Sequence, residues 1–308
     1  MTLPRFLSGW IGKTLVVSAV LFGAYSAYIL LARPDVSVFQ NQWIRNYVRA
    51  EDYLYAKEDY PAVVVGTSLA AKLPAEKIEP QVYNLAFEGG SALTGLNIVA
   101  ASGRYPKVVL IESNLVDAAN DQVMLDSLFT PVEWRVKGHA PAMQDRYQPI
   151  NLMLTSFFRE KPRIRRAKLE KGPDPAVFEP NLKMQAQALN VKGPGFSAAG
   201  LDELKKAMDL LRAKNVRILF FRMPVDPSLV GSVKYVATQR ELKKRFPDIG
   251  WLPQPDDSRY ETEDGSHLTY RASLWFADEF NRWVGDLFDR AAERKNPEKG
   301  GRGEAEAT

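Results

Sequence analysis

The chain has 308 residues, 45% of them apolar and 25% charged, a balance that suits a packed globular protein and excludes a disordered one. Its 41 basic and 37 acidic side chains leave a net charge of +4, too small for a dedicated nucleic-acid binder. There is no cysteine, which removes disulfides, thiolate zinc ligands and a cysteine nucleophile from consideration.

Residues 14–32 carry no charged side chain. A helix of that length rises about 28 Å, close to the roughly 30 Å of a bilayer's hydrocarbon core. Arg5 and Lys13 precede it, Trp10 falls at interfacial depth, and Arg33-Pro34-Asp35 closes it. The positive flank predicts a cytoplasmic tail over residues 1–13, a transmembrane helix over 14–32, and everything after Arg33 outside. A cleaved signal peptide is the competing reading, since residues 24–27 include small side chains. The apolar run continues through Tyr28-Ile29-Leu30-Leu31-Ala32, past any such cleavage point, and this favours an uncleaved anchor.

A juxtamembrane segment, residues 33–58, follows, with apolar residues at helical spacing from 38 onward. Short apolar runs then predict buried strands at 62–65, 82–87, 107–112 and 216–221. Helical character lies between them at 91–102, at 201–214 with Leu201, Leu204, Ala207, Met208 and Leu211 on one face, and at 270–294. Strands alternating with helices predict an α/β domain over 59–294 built on a parallel, helix-covered sheet. Ligands in such sheets bind beyond the carboxyl ends of the strands. Residues 120–200 break the rhythm and read as an insertion with its own helices, placed near the active edge. It includes the basic run Arg163-Ile164-Arg165-Arg166-Ala167-Lys168, a solvated face or a site for anionic glycan or lipid headgroups. The tail, residues 295–308, has no large apolar side chain to bury and is expected to be disordered.

His267 is one of two histidines and stands in Asp264-Gly265-Ser266-His267. Imidazole takes and returns protons near neutral pH, and a carboxylate three residues upstream can orient it. Gly265 permits the turn this spacing requires. The matching nucleophile is Ser68 in Val63-Val64-Val65-Gly66-Thr67-Ser68-Leu69, where a strand ends in glycine and small hydroxyls. Blander roles exist: a helix cap for Ser68, a tight turn for Gly89-Gly90, a cap or turn for Asn114. His139, in Lys137-Gly138-His139-Ala140-Pro141, reads as a loop histidine without a role. No metal-ligand spacing and no phosphate loop is present, and no cofactor is expected.

Four segments in chain order resemble the SGNH (GDSL-like) hydrolase and acyltransferase superfamily: Gly66-Thr67-Ser68-Leu69, Asn84-Leu85-Ala86-Phe87-Glu88-Gly89, Glu112-Ser113-Asn114 and Asp264-Gly265-Ser266-His267. Thr67 stands where the best-known first block has Asp, and the third block lacks the usual Gly-x-Asn-Asp form. The resemblance implies a flavodoxin-like three-layer fold, catalytic Ser68, His267 and Asp264, and an oxyanion site from Gly89 and Asn114, with Gly90 adjacent and the choice of amide open. With an outward-facing anchored domain, it looks most like the polysaccharide O-acetyltransferases of the alginate type and the D-alanyl transfer protein of teichoic acid modification. That group implies a single-pass protein of the inner (cytoplasmic) membrane with a periplasmic domain, a polysaccharide acceptor, and a multi-span membrane-bound O-acyltransferase as partner. An esterase or deacetylase of the same fold, and a catalytically idle scaffold for a glycan-modifying complex, are the alternatives.

Overall fold

The computed structural model describes residues 9–114, 116, 119–158, 169, 172–191 and 197–295. In chain order these form helices α1 (Trp10–Ala32) and α2 (Gln42–Leu54), strand β1 (Ala62–Val65), helix α3 (Ser68–Ala71), β2 (Val82–Asn84), α4 (Ala92–Ser102) and β3 (Val108–Glu112). Helices α5 (Gln122–Leu128), α6 (Pro131–His139), α7 (Pro149–Phe158), α8 (Pro175–Leu189) and α9 (Ala198–Arg212) follow. The chain then enters β4 (Arg217–Phe221), α10 (Pro227–Val230), α11 (Val233–Arg245), β5 (Gly250–Trp251) and α12 (Tyr270–Lys295). They belong to two compact units, residues 1–57 with 122–161, and residues 58–121 with 162–308.

The larger unit is an α/β fold on a five-stranded, all-parallel sheet of order β2-β1-β3-β4-β5. The first four strands fall where short apolar runs predict them. β1, β3 and all but the first residue of β4 are buried, which is why they read as continuous runs rather than alternations, while β2, at the sheet edge, is only partly buried. The predicted second strand pairs only through Asn84, but its path continues: the amides of Leu85 and Phe87 donate to the carbonyls of Val64 and Gly66. β5 has only two residues and no apolar run to announce it.

Both faces of the sheet are covered. Ala62, Val64, Leu110, Leu219 and Phe221 pack on one side with Phe276, Phe280 and Val284 of α12. Burying each such phenylalanine contributes roughly 1.5–3 kcal/mol. On the other side Gly95 of α4 lies so close to β1 that an added Cβ would meet Val65 Cγ1 at 2.7 Å. Helix α9 packs there against α4 and β4, burying the predicted stripe Leu201, Leu204, Ala207, Met208 and Leu211. The strand order reverses at β1, the chain turning to β2 on one side and to β3 on the other. The crevice outside the carboxyl ends of β1 and β3 is therefore the expected ligand site.

The smaller unit contains α1, α2, α5, α6, α7 and two 3-10 turns at Pro141–Met143 and Asp145–Tyr147. Helix α1 starts four residues before the expected span and is long and apolar enough to cross a membrane. Asn41 starts α2 by accepting the Ile44 amide on its side chain. The expected insertion at 120–200 is not one body. Residues 122–161 join the N-terminal helices, and only the remainder belongs with the sheet. His139 ends α6 rather than lying in a loop, its Nδ1 2.8 Å from the Arg135 carbonyl. The basic run at 163–168 and the tail from Asn296 lie outside the described residues.

Candidate active site

The turn after β1 is built for close approach. A Cβ on Gly66 would sit 2.6 Å from the Cβ of Glu112 on neighbouring β3, so glycine is needed there. Thr67 caps α3, accepting the Leu69 amide, and Ser68 becomes the helix's first residue. Asn84 clasps the far end of α3, its side-chain amide donating to the carbonyl of Ala70 at 2.9 Å and its oxygen accepting the Ala86 amide. The serine thus stands on a short helix fixed at both ends.

The histidine arrives on a tight reversal between β5 and α12. Thr262 pairs with Leu268 in an antiparallel bridge, and the Glu263 amide donates to the His267 carbonyl at 2.7 Å. Gly265 adopts φ +91, and its carbonyl accepts the Asp226 amide. The Asp264 carboxylate folds back over this turn. One oxygen accepts the amides of Ser266 and His267 at 2.9 and 2.8 Å, and the other meets His267 Nδ1 at 2.7 Å. His267 Nε2 lies 2.8 Å from Ser68 Oγ. Serine, imidazole and carboxylate therefore form one continuous chain across 199 residues of sequence.

Burial disfavours the charged form of Asp264. The hydrogen bonds from the His267 ring and from the amides of His267 and Ser266 outweigh it and hold the carboxyl at about 2. Alanine at Gly265 would force a β-carbon into the disfavoured positive-φ region and place it 2.7 Å from Leu182 Cδ1. Gly265→Ala is expected to cost about 1–3 kcal/mol from backbone strain alone, read as a lower urea midpoint. An unchanged midpoint would show that the turn relaxes freely.

The Ser68 amide, in the first turn of α3, and the Gly89 amide have no acceptor among the described residues. The ladder that joins Phe87 to Gly66 carries the Glu88-Gly89 turn alongside the Ser68 turn. Gly90 is used otherwise: its amide closes a turn on the Phe87 carbonyl at 3.1 Å, with Gly89 at φ +62 inside it. Of the two glycines, Gly89 keeps the available amide.

Asn114 does not take the expected place. Its side chain is buried, donating to the Met223 carbonyl at 2.9 Å and accepting the Met223 amide at 2.7 Å. The amide staples the ends of β3 and β4 together, and it is a clamp rather than an open oxyanion donor.

Glu112 is the residue that sequence reasoning passed over. It has no solvent exposure, yet its carboxylate accepts the Thr67 amide at 2.9 Å, the Thr67 hydroxyl at 2.6 Å and the Asn114 amide at 2.8 Å. It ties the Ser68 turn to the end of β3. The available signal was Thr67 itself, a hydroxyl in place of an acid, which needs a buried acceptor nearby.

A cavity of about 440 Å3 lies beside the histidine turn, lined by Lys72, Pro173, Val177, Glu263, Leu268 and Tyr270 among others. Its size lies within the range of small-molecule sites. Lys72 follows α3 directly, and Glu263 and Leu268 flank the Asp264–His267 turn. Among the described residues no group of three metal-ligating side chains could hold an ion. Compared with known protein families and with curated protein sequences, the chain has no significant match in either.

Proposed function

We propose that the chain is a serine-dependent O-acyltransferase of the SGNH type, anchored by α1 and acting outside the inner membrane on a polysaccharide hydroxyl. The observation that carries this reading is the Ser68–His267–Asp264 relay at 2.8 and 2.7 Å. Strand order 2-1-3-4-5, a doubly wound arrangement of the flavodoxin type, supports it. So does the position of Ser68 at the carboxyl end of β1, beside the switch point.

His267 Nε2 takes the Ser68 proton as Oγ attacks the acyl carbonyl. The oxyanion lies on the Ser68 and Gly89 amides, each worth about 2.7–4 kcal/mol of transition-state stabilisation. Collapse expels the donor group, which receives the proton from the imidazolium, and leaves acyl-Ser68. In the second half a sugar hydroxyl gives its proton to His267 and attacks the acyl-serine, and Ser68 recovers its proton. A multi-span membrane-bound O-acyltransferase would supply the acyl group.

The test is intact-mass analysis of the full-length protein in mild detergent, incubated with p-nitrophenyl acetate with and without acetylatable oligosaccharide. An acetyl adduct in the wild type and none in Ser68→Ala is expected. Faster clearance by oligosaccharide, with acetyl appearing on the sugar, marks a transferase. Clearance by water alone marks an esterase. Absence of any adduct and of turnover would overturn the enzymatic reading in favour of a scaffold.

A further inference from the structure

Helix α1 is not bare over its whole length. Residues 13–24 are exposed on all sides, but from Tyr25 onward the smaller unit packs against it: the Tyr25 hydroxyl donates to the Tyr147 carbonyl, and Ile29 is buried. The continuously exposed part, residues 13–24, rises about 18 Å, short of the roughly 30 Å of hydrocarbon. Tyr28, Leu30 and Leu31 in the last two turns still point outward. If α1 spans a bilayer, the chain packed on its distal end sits at the depth of the acyl chains.

Helix α7 is the part of that chain suited to such a place. It is pinned to the segment leaving α1: the Thr155 hydroxyl accepts the Ser37 amide at 3.0 Å, Asn151 accepts from Gln40 at 2.9 Å, and the Phe158 ring lies 5.9 Å from Phe39. Its sequence, Pro149-Ile-Asn-Leu-Met-Leu-Thr-Ser-Phe-Phe158, has no charge. Ile150, Met153 and Phe157, spaced i, i+3 and i+7, form an outward stripe, and Phe157 is 75% exposed. Such a patch is costly in water and marks an interaction surface. The polar side chains of α7 need no water. Asn151 donates to the Asp145 carbonyl, Thr155 to the Asn151 carbonyl, and Ser156 to the Leu152 carbonyl. Internal satisfaction of polar groups is what a lipid environment demands.

We infer that α7 is an interfacial helix, its Ile150–Met153–Phe157 stripe lying in the outer leaflet beside α1 and completing the apolar depth that α1 leaves unfilled. Helices of this kind bury their apolar face roughly 5–10 Å below the headgroups. The bilayer is favoured as occupant by continuity: the stripe and the exposed turns of α1 belong to one compact unit. The inference rests on α1 being a membrane span.

The absence of cysteine makes the test clean. Single variants Val17→Cys, Met153→Cys, Phe157→Cys and Val177→Cys of the full-length chain are labelled with an environment-sensitive fluorophore and reconstituted in phosphatidylcholine vesicles. The probes at 153 and 157 are expected to be quenched several-fold more by lipids brominated on their acyl chains than by aqueous iodide, as at 17, with the reverse at 177. A lipid-quenched probe at 17 with iodide-quenched probes at 153 and 157 overturns the inference and leaves the span intact. Shielding of 153 and 157 from both quenchers overturns it in favour of a protein partner or a second copy. Iodide quenching at 17 removes the span and this inference with it.

Discussion

Asp264→Asn is expected to lower kcat about 10⁴-fold while leaving the fold in place, the size of effect seen when a triad carboxylate becomes an amide. The geometry explains why so small a change is so damaging. One Asp264 oxygen accepts two backbone amides, and the other faces His267 Nδ1. In the variant the carbonyl oxygen keeps the backbone donors, and the new NH2 is turned toward Nδ1. Nδ1 must then be an acceptor, which puts the ring's hydrogen on Nε2, the atom 2.8 Å from Ser68 Oγ. A protonated Nε2 cannot take the serine proton. The loss should fall on kcat for the acylation step, with substrate KM little changed. A variant within tenfold of the wild type would show that Asp264 serves only to shape the turn.

Acid unfolding provides a second readout of the same residue. The folded carboxyl is held at about 2, below its ordinary 3.8. A depressed folded value means the unfolded chain binds the proton first, so the stabilisation is complete above 3.8 and fades as pH falls toward 2. Wild type should lose stability through that window more steeply than Asp264→Asn.

How much of this was legible follows from where the forces act. Asp264 and His267 are three residues apart, so their pairing is a local turn property and the sequence displays it. Strands β1, β3 and β4 are legible because a strand buried on both faces has to be apolar almost throughout. Glu112 is illegible for the opposite reason. It ends an apolar run, where an acid ordinarily marks the solvent, and two of the hydrogen bonds it accepts in its buried place come from Thr67, 45 residues away. Asn114 reads as a donor at the strand ends, but the Met223 backbone that its side chain engages is 109 residues distant. Helix α11 escapes because its charged residues outnumber its buried ones, Tyr235, Thr238 and Leu242. The division of residues 120–200 is hidden because α5 to α7 find their apolar partners in the first 57 residues.

The smaller unit depends on a buried charge cluster, and Lys137→Met is expected to destabilise that unit by about 3–5 kcal/mol, the cost of leaving buried charge without its counterion. Lys137 donates to Glu51 at 2.7 Å and to Asp145 at 2.6 Å, while its ammonium lies 5.0 Å over the Tyr47 ring. The Asp145 amide donates to the second Glu51 oxygen at 2.7 Å. Burial pushes Glu51 up to about 7, against the opposing pull of the Lys137 hydrogen bond. An acid raised in the folded state keeps a proton that the unfolded chain releases, so its contribution declines as pH rises from 4.5 through 7. Without the ammonium that decline extends to higher pH, and the defect of Lys137→Met should shrink on acidification. Adding Glu51→Met should recover much of the loss, since a carboxylate removed with its partner leaves no orphan. Urea titration in detergent, followed by the fluorescence of a single probe attached at Met153→Cys on α7, reads the unit itself. A change under 1 kcal/mol, or one indifferent to pH, would overturn the assignment. The damage should also travel, because the turn that Lys137 and Glu51 hold at Asp145 carries Tyr147, the acceptor for Tyr25 of α1, and leads two residues later into α7. Probes on the α7 stripe are therefore expected to lose their shielding in Lys137→Met before the sheet of the larger unit unfolds.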